Sequence, residues 1–278
     1  MQEYWQNIYS NFEPIAFNIG PVSVHWYGIM YALALLSAIF IAKWFIKHDK
    51  LNISNDLFDS YIWWAEIGVI LGARLGYIIF YDTNAMYYLT KPWQIFNPYV
   101  DGVYTGISGM SYHGAFIGFI LASVLFCRKN KISFWFISDI AILGISAAYV
   151  FGRIGNFFNQ ELIGRVTDVP WGIYVGETLR HPSQLYEAIL EGLVVFAILV
   201  YFRKRKTFDG QLALMYGILY SAMRIIAEFF RQPDIQLGFI YSDWLTMGIL
   251  QSSIVLFVSL IVYIVFGIKK SEEKKIAK

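Results

Sequence analysis

The chain has a single cysteine, Cys127, and only 15% charged residues. One thiol can form neither a disulfide nor a CxxC pair within the chain, so disulfide frameworks and dithiol redox chemistry are excluded. Charge this sparse, beside 57% hydrophobic residues and a mean hydropathy of +0.50, is too little to coat a soluble domain of this length. Neither HExxH nor a cysteine cluster offers a metal site, GxxxxGK[ST] is missing, and nothing resembles a GxSxG nucleophile elbow, so neither metal nor cofactor is expected. The net charge of +2 is not gathered into basic runs interleaved with stacking aromatics, which argues against nucleic acid as a partner. The aromatic and acidic start MQEYWQ lacks a basic leader segment, so no cleavable signal is expected.

What is present is apolar length. Runs of about 20 residues match a hydrocarbon core of about 30 Å. They fall at 22–46, 58–81, 110–127, 134–151, 184–202, 211–230 and 243–267. The expected fold is therefore an all-α integral membrane protein of about seven transmembrane helices. Short cytoplasmic loops carry the Lys and Arg excess. Lys43, Lys47 and Lys50 follow the first span, Arg128, Lys129 and Lys131 the third, Arg203 to Lys206 the fifth, and Lys269, Lys270, Lys274, Lys275 and Lys278 the seventh. The opposite loops hold Lys91, Arg165 and Arg180. This places the N-terminus extracytoplasmic and the C-terminus cytoplasmic. No linker divides residues 1–278, so one polytopic membrane domain is expected, with 156–182 as a small extracytoplasmic head between spans four and five. Gly68, Gly72 and Gly76, and again Gly144, Ala148 and Gly152, recur at four-residue spacing and predict close helix packing.

On this topology the polar residues gather at the extracytoplasmic face. His25 and Tyr27 begin the first span, Tyr112 and His113 the third, and Arg153 and Asn156 end the fourth, with Glu161 just beyond. His181, Gln184 and Glu187 begin the fifth, and Tyr220, Arg224, Glu228 and Arg231 end the sixth. Arg224, Glu228 and Arg231 share a helical stripe. Glu66, Arg74 and Glu191 lie deeper and read as mutual or backbone-satisfied pairs that fix helix register. Intramembrane ionisable groups are functional candidates by default. Arginine suits phosphate, because its planar fork donates bidentate bonds and keeps its charge when desolvated. The residues thus point to an enzyme or carrier for an anionic phospholipid.

Five motifs sharpen that reading: HWYGIMY at 25–31, SYHGAFIG at 111–118, GRIGNFFNQE at 152–161, HPSQLYEA at 181–188 and RIIAEFFRQPD at 224–234. With them the chain closely resembles the bacterial prolipoprotein diacylglyceryl transferases over spans one to six. The resemblance implies transfer of the diacylglyceryl group of phosphatidylglycerol to the lipobox cysteine of a preprolipoprotein, forming a thioether and releasing glycerol phosphate. It also implies a multi-pass protein of the bacterial cytoplasmic (inner) membrane with its site toward the extracytoplasmic leaflet. Arg153 and Arg224 are then expected at the lipid phosphate or glycerol headgroup, with Asn156, Glu161 and Glu228 in the same cluster. His113 and Tyr27 match positions needed for activity in the family. Tyr220, Arg231, His25 and His181 complete the expected substrate-binding set. Ala115 stands where a second glycine is expected after HG, a small departure in pocket shape.

A thiol with pKa near 8.5 needs a base or a favourable field to react at neutral pH. His113 is the candidate, since an imidazole of pKa about 6.5 suits proton acceptance; hydrogen bonding to a headgroup is the other role open to it. The competing function is a transporter or flippase of an anionic phospholipid-like substrate. Such proteins place sites near the midplane of repeated halves, and no duplicated motif is visible here. A scaffold held by polar locks is the third reading.

Overall fold

The computed structural model describes residues 2–20, 22–83, 85–100, 103–104, 109–233 and 238–276; Asp234 of the last motif and Lys278 of the basic tail lie outside the described residues. Among these residues the long elements are helices: α1 Trp26–His48, α2 Asn55–Phe80, α3 Tyr112–Asn130, α4 Phe134–Phe158, α5 Ser183–Phe202, α6 Gln211–Glu228 and α7 Met247–Ile276. The six prolines among the described residues all fall outside them, as the missing amide hydrogen and ring clash of a mid-helix proline require. Within the described residues five helices are long and apolar enough to cross a membrane: α1, α2, α4, α5 and Met247–Glu273 of α7. The expected spans at 110–127 and 211–230 are helical but stand outside that set. Their composition is more polar, since α6 carries Gln211, Arg224 and Glu228 and α3 ends in Arg128, Lys129 and Asn130.

The fold is mostly helical, yet short antiparallel hairpins occupy several connections. β1 Ile15–Ile19 pairs with β2 Val22–His25, β3 Tyr99–Val100 with β4 Val103–Tyr104, β5 Ile173–Val175 with β6 Thr178–Arg180, and β7 Phe239–Tyr241 with β8 Leu245–Thr246. Short strands were expected only in the head, at PWGIYV (170–175), where β5 forms; the other hairpins were not, because runs of a few residues carry no clear period. β5 and β6 lie in the head, where Gly176 turns the chain at φ +61°, a conformation that costs glycine little.

The chain forms two compact units, residues 1–51 with 138–278, and residues 52–137. In the second unit α2 and α3 meet backbone to backbone. A Cβ on Gly68 would come within 2.6 Å of the Gly118 carbonyl oxygen, and one on Gly72 would strike the Gly114 carbonyl. The small-residue stripe expected on α2 thus faces Gly114, Gly118 and Ala122 of α3. Arg74 is satisfied by backbone, its Nε donating to the Ile95 carbonyl at 2.5 Å and its Nη1 to that of Gly109 at 3.1 Å.

In the first unit Phe45, Leu143, Val195, Leu199 and Leu212 knit α1, α4, α5 and α6 into one core. Gly144 lies against the Ala38 backbone, whereas a Cβ on Gly152 would meet nothing within 4 Å. The expected packing role therefore holds for Gly144 and fails for Gly152. Asp139, 3% exposed, accepts from the backbone amides of Gly210 (2.9 Å), Leu212 (2.9 Å) and Ala213 (3.1 Å) and from Lys206 Nζ (2.9 Å). A helix start has orphan N–H groups and a partial positive charge, so this carboxylate caps α6 from within α4.

Asp49 ends α1 against His48 Nδ1 (2.8 Å), Arg203 Nε (2.9 Å) and Lys204 Nζ (3.3 Å). Burial pushes its carboxyl upward, but hydrogen bonds from His48, Lys204 and Arg203, with the charge on Arg203, outweigh that and hold it below the usual range. A depressed carboxylate stabilises the fold above its unfolded pKa of about 3.9, and that stability is lost as pH falls through the lower folded value. Asp49→Asn should therefore lower the melting temperature at pH 7 by a few degrees, on the order of 1 kcal/mol after solvent screening. The gap should close below about pH 4; a gap independent of pH in a thermal scan would show that charge is not the cause.

Candidate functional site

Three helices of the first unit each bring charge to one point. Arg153 comes from the last turns of α4, Glu187 and Glu191 from α5, and Arg224 and Glu228 from α6, with Arg231 just past its end. α5 is irregular there: an α-helical turn Ser183–Glu187 opens into a π-helix, Ala188–Val194, before Val195–Phe202 resumes. Such widened turns recur at functional sites.

Glu187 is the hub, with a side chain 0% exposed. Its Oε1 accepts from Arg224 Nη1 at 2.9 Å and Arg231 Nη1 at 3.4 Å, while Oε2 faces Arg153 Nε at 2.9 Å. Arg224 Nη1 also lies 3.6 Å from Glu191, and its Nη2 2.5 Å from Glu228. Glu228 accepts from Thr246 Oγ1 at 2.9 Å. Gly248 leaves room for that carboxylate, since a Cβ there would come within 2.7 Å of it. Three guanidiniums and three buried carboxylates cancel formally, which is what makes such a concentration tolerable away from water.

Arg153 is held by Tyr149 along its Nε–Nη2 edge and by Asn156 at Nη1. The Tyr149 hydroxyl accepts from its Nε at 2.7 Å and its Nη2 at 2.5 Å, and the Tyr149 ring lies 4.9 Å from its Cζ. Nη1 donates to Asn156 Oδ1 at 3.3 Å, and Asn156 Nδ2 donates to Glu161 Oε1 at 2.7 Å. A guanidinium has five N–H donors. Among the described residues, one N–H on each terminal nitrogen of Arg153 is left over, which is the donor pair an oxyanion takes. The three arginine side chains keep 15%, 12% and 9% exposure against the fully buried Glu187 carboxylate.

The helix end bearing Glu228 and Arg231 is clamped by the head. Arg165 donates from Nε to the Arg231 carbonyl (2.9 Å) and from Nη2 to that of Glu228 (3.2 Å). The Arg165 amide reaches the Phe230 carbonyl at 2.9 Å, and the Gln232 amide that of Ile163 at 3.1 Å. On the far side, Gln184 Nε2 reaches the Glu161 carbonyl at 2.5 Å and the Tyr9 hydroxyl at 3.3 Å. Gln160 ties the motif to the N-terminal segment through the carbonyls of Tyr9 (3.2 Å) and Phe12 (2.9 Å).

The structure thus joins Arg153, Asn156, Glu161, Arg224, Glu228 and Arg231 in one network, and sets Tyr220 beside it with its hydroxyl 3.5 Å from that of Tyr149. Tyr27 stands at its margin: its Cδ2 is 3.3 Å from where a Cβ on Gly155 would be. Two other expected residues stay outside. His25 ends β2, paired with Ile15. His181 precedes α5 and its Nδ1 meets the Tyr186 hydroxyl at 3.2 Å. Burial holds the His181 imidazole below its ordinary range, Asp168 pulling the other way, so it enters as a hydrogen-bonding group. His113 sits in the first turn of α3, in the second unit, exposed and edge-on to Tyr112 at 5.9 Å. Tyr149, Glu191 and Arg165 were absent from the expected site, and Glu187 stood in the expected polar set of that face without a role of its own. Charge matching had the signal for the glutamates, because three arginines at apolar helix ends require buried partners.

Five helices long and apolar enough to cross a membrane, with a charge-balanced arginine–glutamate centre among them, are the architecture of a helical membrane protein. Residues 14–265 match the family described as Prolipoprotein diacylglyceryl transferase. A protein of Aliarcobacter butzleri named phosphatidylglycerol–prolipoprotein diacylglyceryl transferase is 80% identical, over 95% of this chain and 97% of its own length. Relatives of the same name in Campylobacter jejuni and Campylobacter hominis are 57% identical (96% of this chain, 98% of the relative) and 53% identical (94% and 93%). The chain belongs to the prolipoprotein diacylglyceryl transferase family.

Proposed function

We propose that this chain transfers the diacylglyceryl group of phosphatidylglycerol to the lipobox cysteine thiol of a prolipoprotein. The carrying observation is the Arg153 guanidinium, tied along one edge by Tyr149 and Glu187 while both terminal nitrogens keep a donor to spare. A phosphodiester accepts such a pair in bidentate fashion. In the reaction a carbon–sulfur bond forms at the glycerol carbon esterified to phosphate. The carbon–oxygen bond there breaks, its electron pair stays on the phosphate oxygen, and glycerol phosphate leaves. Arg153 and Arg224 offset that growing charge, and His113 is the candidate to take the thiol proton. Tyr27 completes the catalytic set, Asn156, Glu161, Tyr220, Glu228, Arg231, His25 and His181 are assigned with Arg153 to substrate binding, and no cofactor enters the chemistry.

We infer that α3 and α6 span the membrane beside the five apolar helices. The N-terminus and the head at 156–182 then face outward, the C-terminus faces the cytoplasm, and 1–278 forms one polytopic domain of the bacterial cytoplasmic (inner) membrane with its site in the extracytoplasmic leaflet. The lysine and arginine asymmetry of the loops supports that orientation. Purified protein, incubated with phosphatidylglycerol and a lipobox peptide, should yield a peptide heavier by one diacylglyceryl group together with free glycerol phosphate. Movement of the lipid between leaflets with no modified peptide would replace this function with that of a flippase.

A further inference from the structure

Tyr149 lies one helical turn before Arg153, and its hydroxyl is fully used. It accepts from Arg153 Nε at 2.7 Å and Nη2 at 2.5 Å, and donates to Glu191 Oε2. A phenol has one proton and two lone pairs, so these bonds run in one direction, from Arg153 through Tyr149 to Glu191. Glu191 is 0% exposed on the π-helical turn and is also 3.6 Å from Arg224 Nη1. The ring itself is fixed edge-on to Tyr220, centroids 5.5 Å apart at 79°.

We propose that Tyr149 and Glu191 are a positioning pair that sets the rotation of the Arg153 guanidinium for substrate. This rests on the reading of Arg153 as a ligand of the lipid phosphate. A carboxylate in bidentate contact with Arg153 would take two parallel N–H groups at once. A hydroxyl placed between them satisfies the inner edge and keeps the Glu191 charge one residue away, so the terminal donors stay free. The electrostatic link from Arg153 to Arg224 then passes through Glu191 and Tyr149 as well as through Glu187. Misplacement of a reacting contact by about 1 Å can cost about 100-fold in rate, so an arginine free to swing about its Cδ–Nε bond loses most of its use.

Tyr149→Phe keeps the ring and removes only the hydroxyl. It should lower kcat about 10-fold or more, with KM for phosphatidylglycerol within about threefold and the melting temperature nearly unchanged, because Glu187 still neutralises Arg153. Glu191→Gln can still accept the Tyr149 proton through its amide oxygen and should recover much of the rate. In an Arg153→Lys background, Tyr149→Phe should have little further effect, since an ammonium has no fork to orient. Nitrogen-15 spectra of arginine-labelled protein in nanodiscs give a readout independent of turnover: the Arg153 Nε–H signal should be protected in the wild type and exchange-broadened in Tyr149→Phe. An unchanged signal, or equal rate losses in both backgrounds, would overturn the pair. A wild type that transfers nothing while showing the protected signal would overturn the transferase reading alone.

Discussion

Arg153→Ala should reduce diacylglyceryl transfer by at least about 100-fold, the range in which removal of one preorganised donor to a developing oxyanion falls. The structure adds a second effect that alanine cannot separate from the first. Arg153 Nε stands 2.9 Å from the Glu187 carboxylate, which has no exposure to solvent. Losing the guanidinium therefore leaves buried negative charge partly uncompensated and lowers stability as well. Arg153→Lys separates the two, because lysine restores a positive charge near Glu187 and lacks the planar fork. Its melting temperature should return close to wild type while transfer stays down by about 100-fold. Rates and thermal scans on the same purified samples decide the matter, and wild-type transfer by either variant would remove Arg153 from the phosphate site.

The largest expected loss of stability comes from Glu187→Ala. One carboxylate here serves Arg153, Arg224 and Arg231 at 2.9, 2.9 and 3.4 Å. Breaking a buried pair by removing one partner costs about 3–5 kcal/mol, and here the remainder is three guanidiniums facing Glu191 and Glu228. The melting temperature in detergent should fall by about 10 °C for a chain of this size, and transfer should fall with it. Glu187→Asp keeps the charge but retracts it by one methylene, so it should be milder. A Glu187→Ala protein melting within about 2 °C of wild type would show that the arginines find other partners or water.

Helix positions were legible in the sequence because apolar length and proline placement act residue by residue. The small-residue stripe of α2 likewise announced a close contact, although its partners Gly114, Gly118 and Ala122 had to be seen. Arg153, Asn156, Glu161, Arg224 and Glu228 were readable as one site because each stands out against an apolar helix end and recurs in a motif. Tyr149 was not, since a tyrosine in the run AAYVFGR is ordinary as an interfacial aromatic and its role depends on a hydroxyl aimed at Arg153 and Glu191. Asp139 was equally silent: its ligands are amides of Gly210, Leu212 and Ala213, some 70 residues away, and backbone amides have no sequence signature. His25 and His181 were placed near the site by sequence alone, and their partners, Ile15 across the hairpin and the Tyr186 hydroxyl, had no signal in the motifs.

The cancelling charges of α4, α5 and α6 also bear on how the protein enters its membrane. During synthesis α4 emerges with Arg153 and no acid to neutralise it, and α5 follows with Glu187 and Glu191 among apolar residues. On insertion scales a centrally placed charge costs about 2.5–3.5 kcal/mol, and less toward a helix end. α5 brings Glu187 to Arg153, and the second acid of α5 is offset once α6 has been made, because Arg224 reaches Glu187 and Glu191 together. On the proposed topology, partitioning of α4 and α5 into lipid is coupled to translation of α6, and a chain stopped before residue 224 lacks the counter-ion of Glu191.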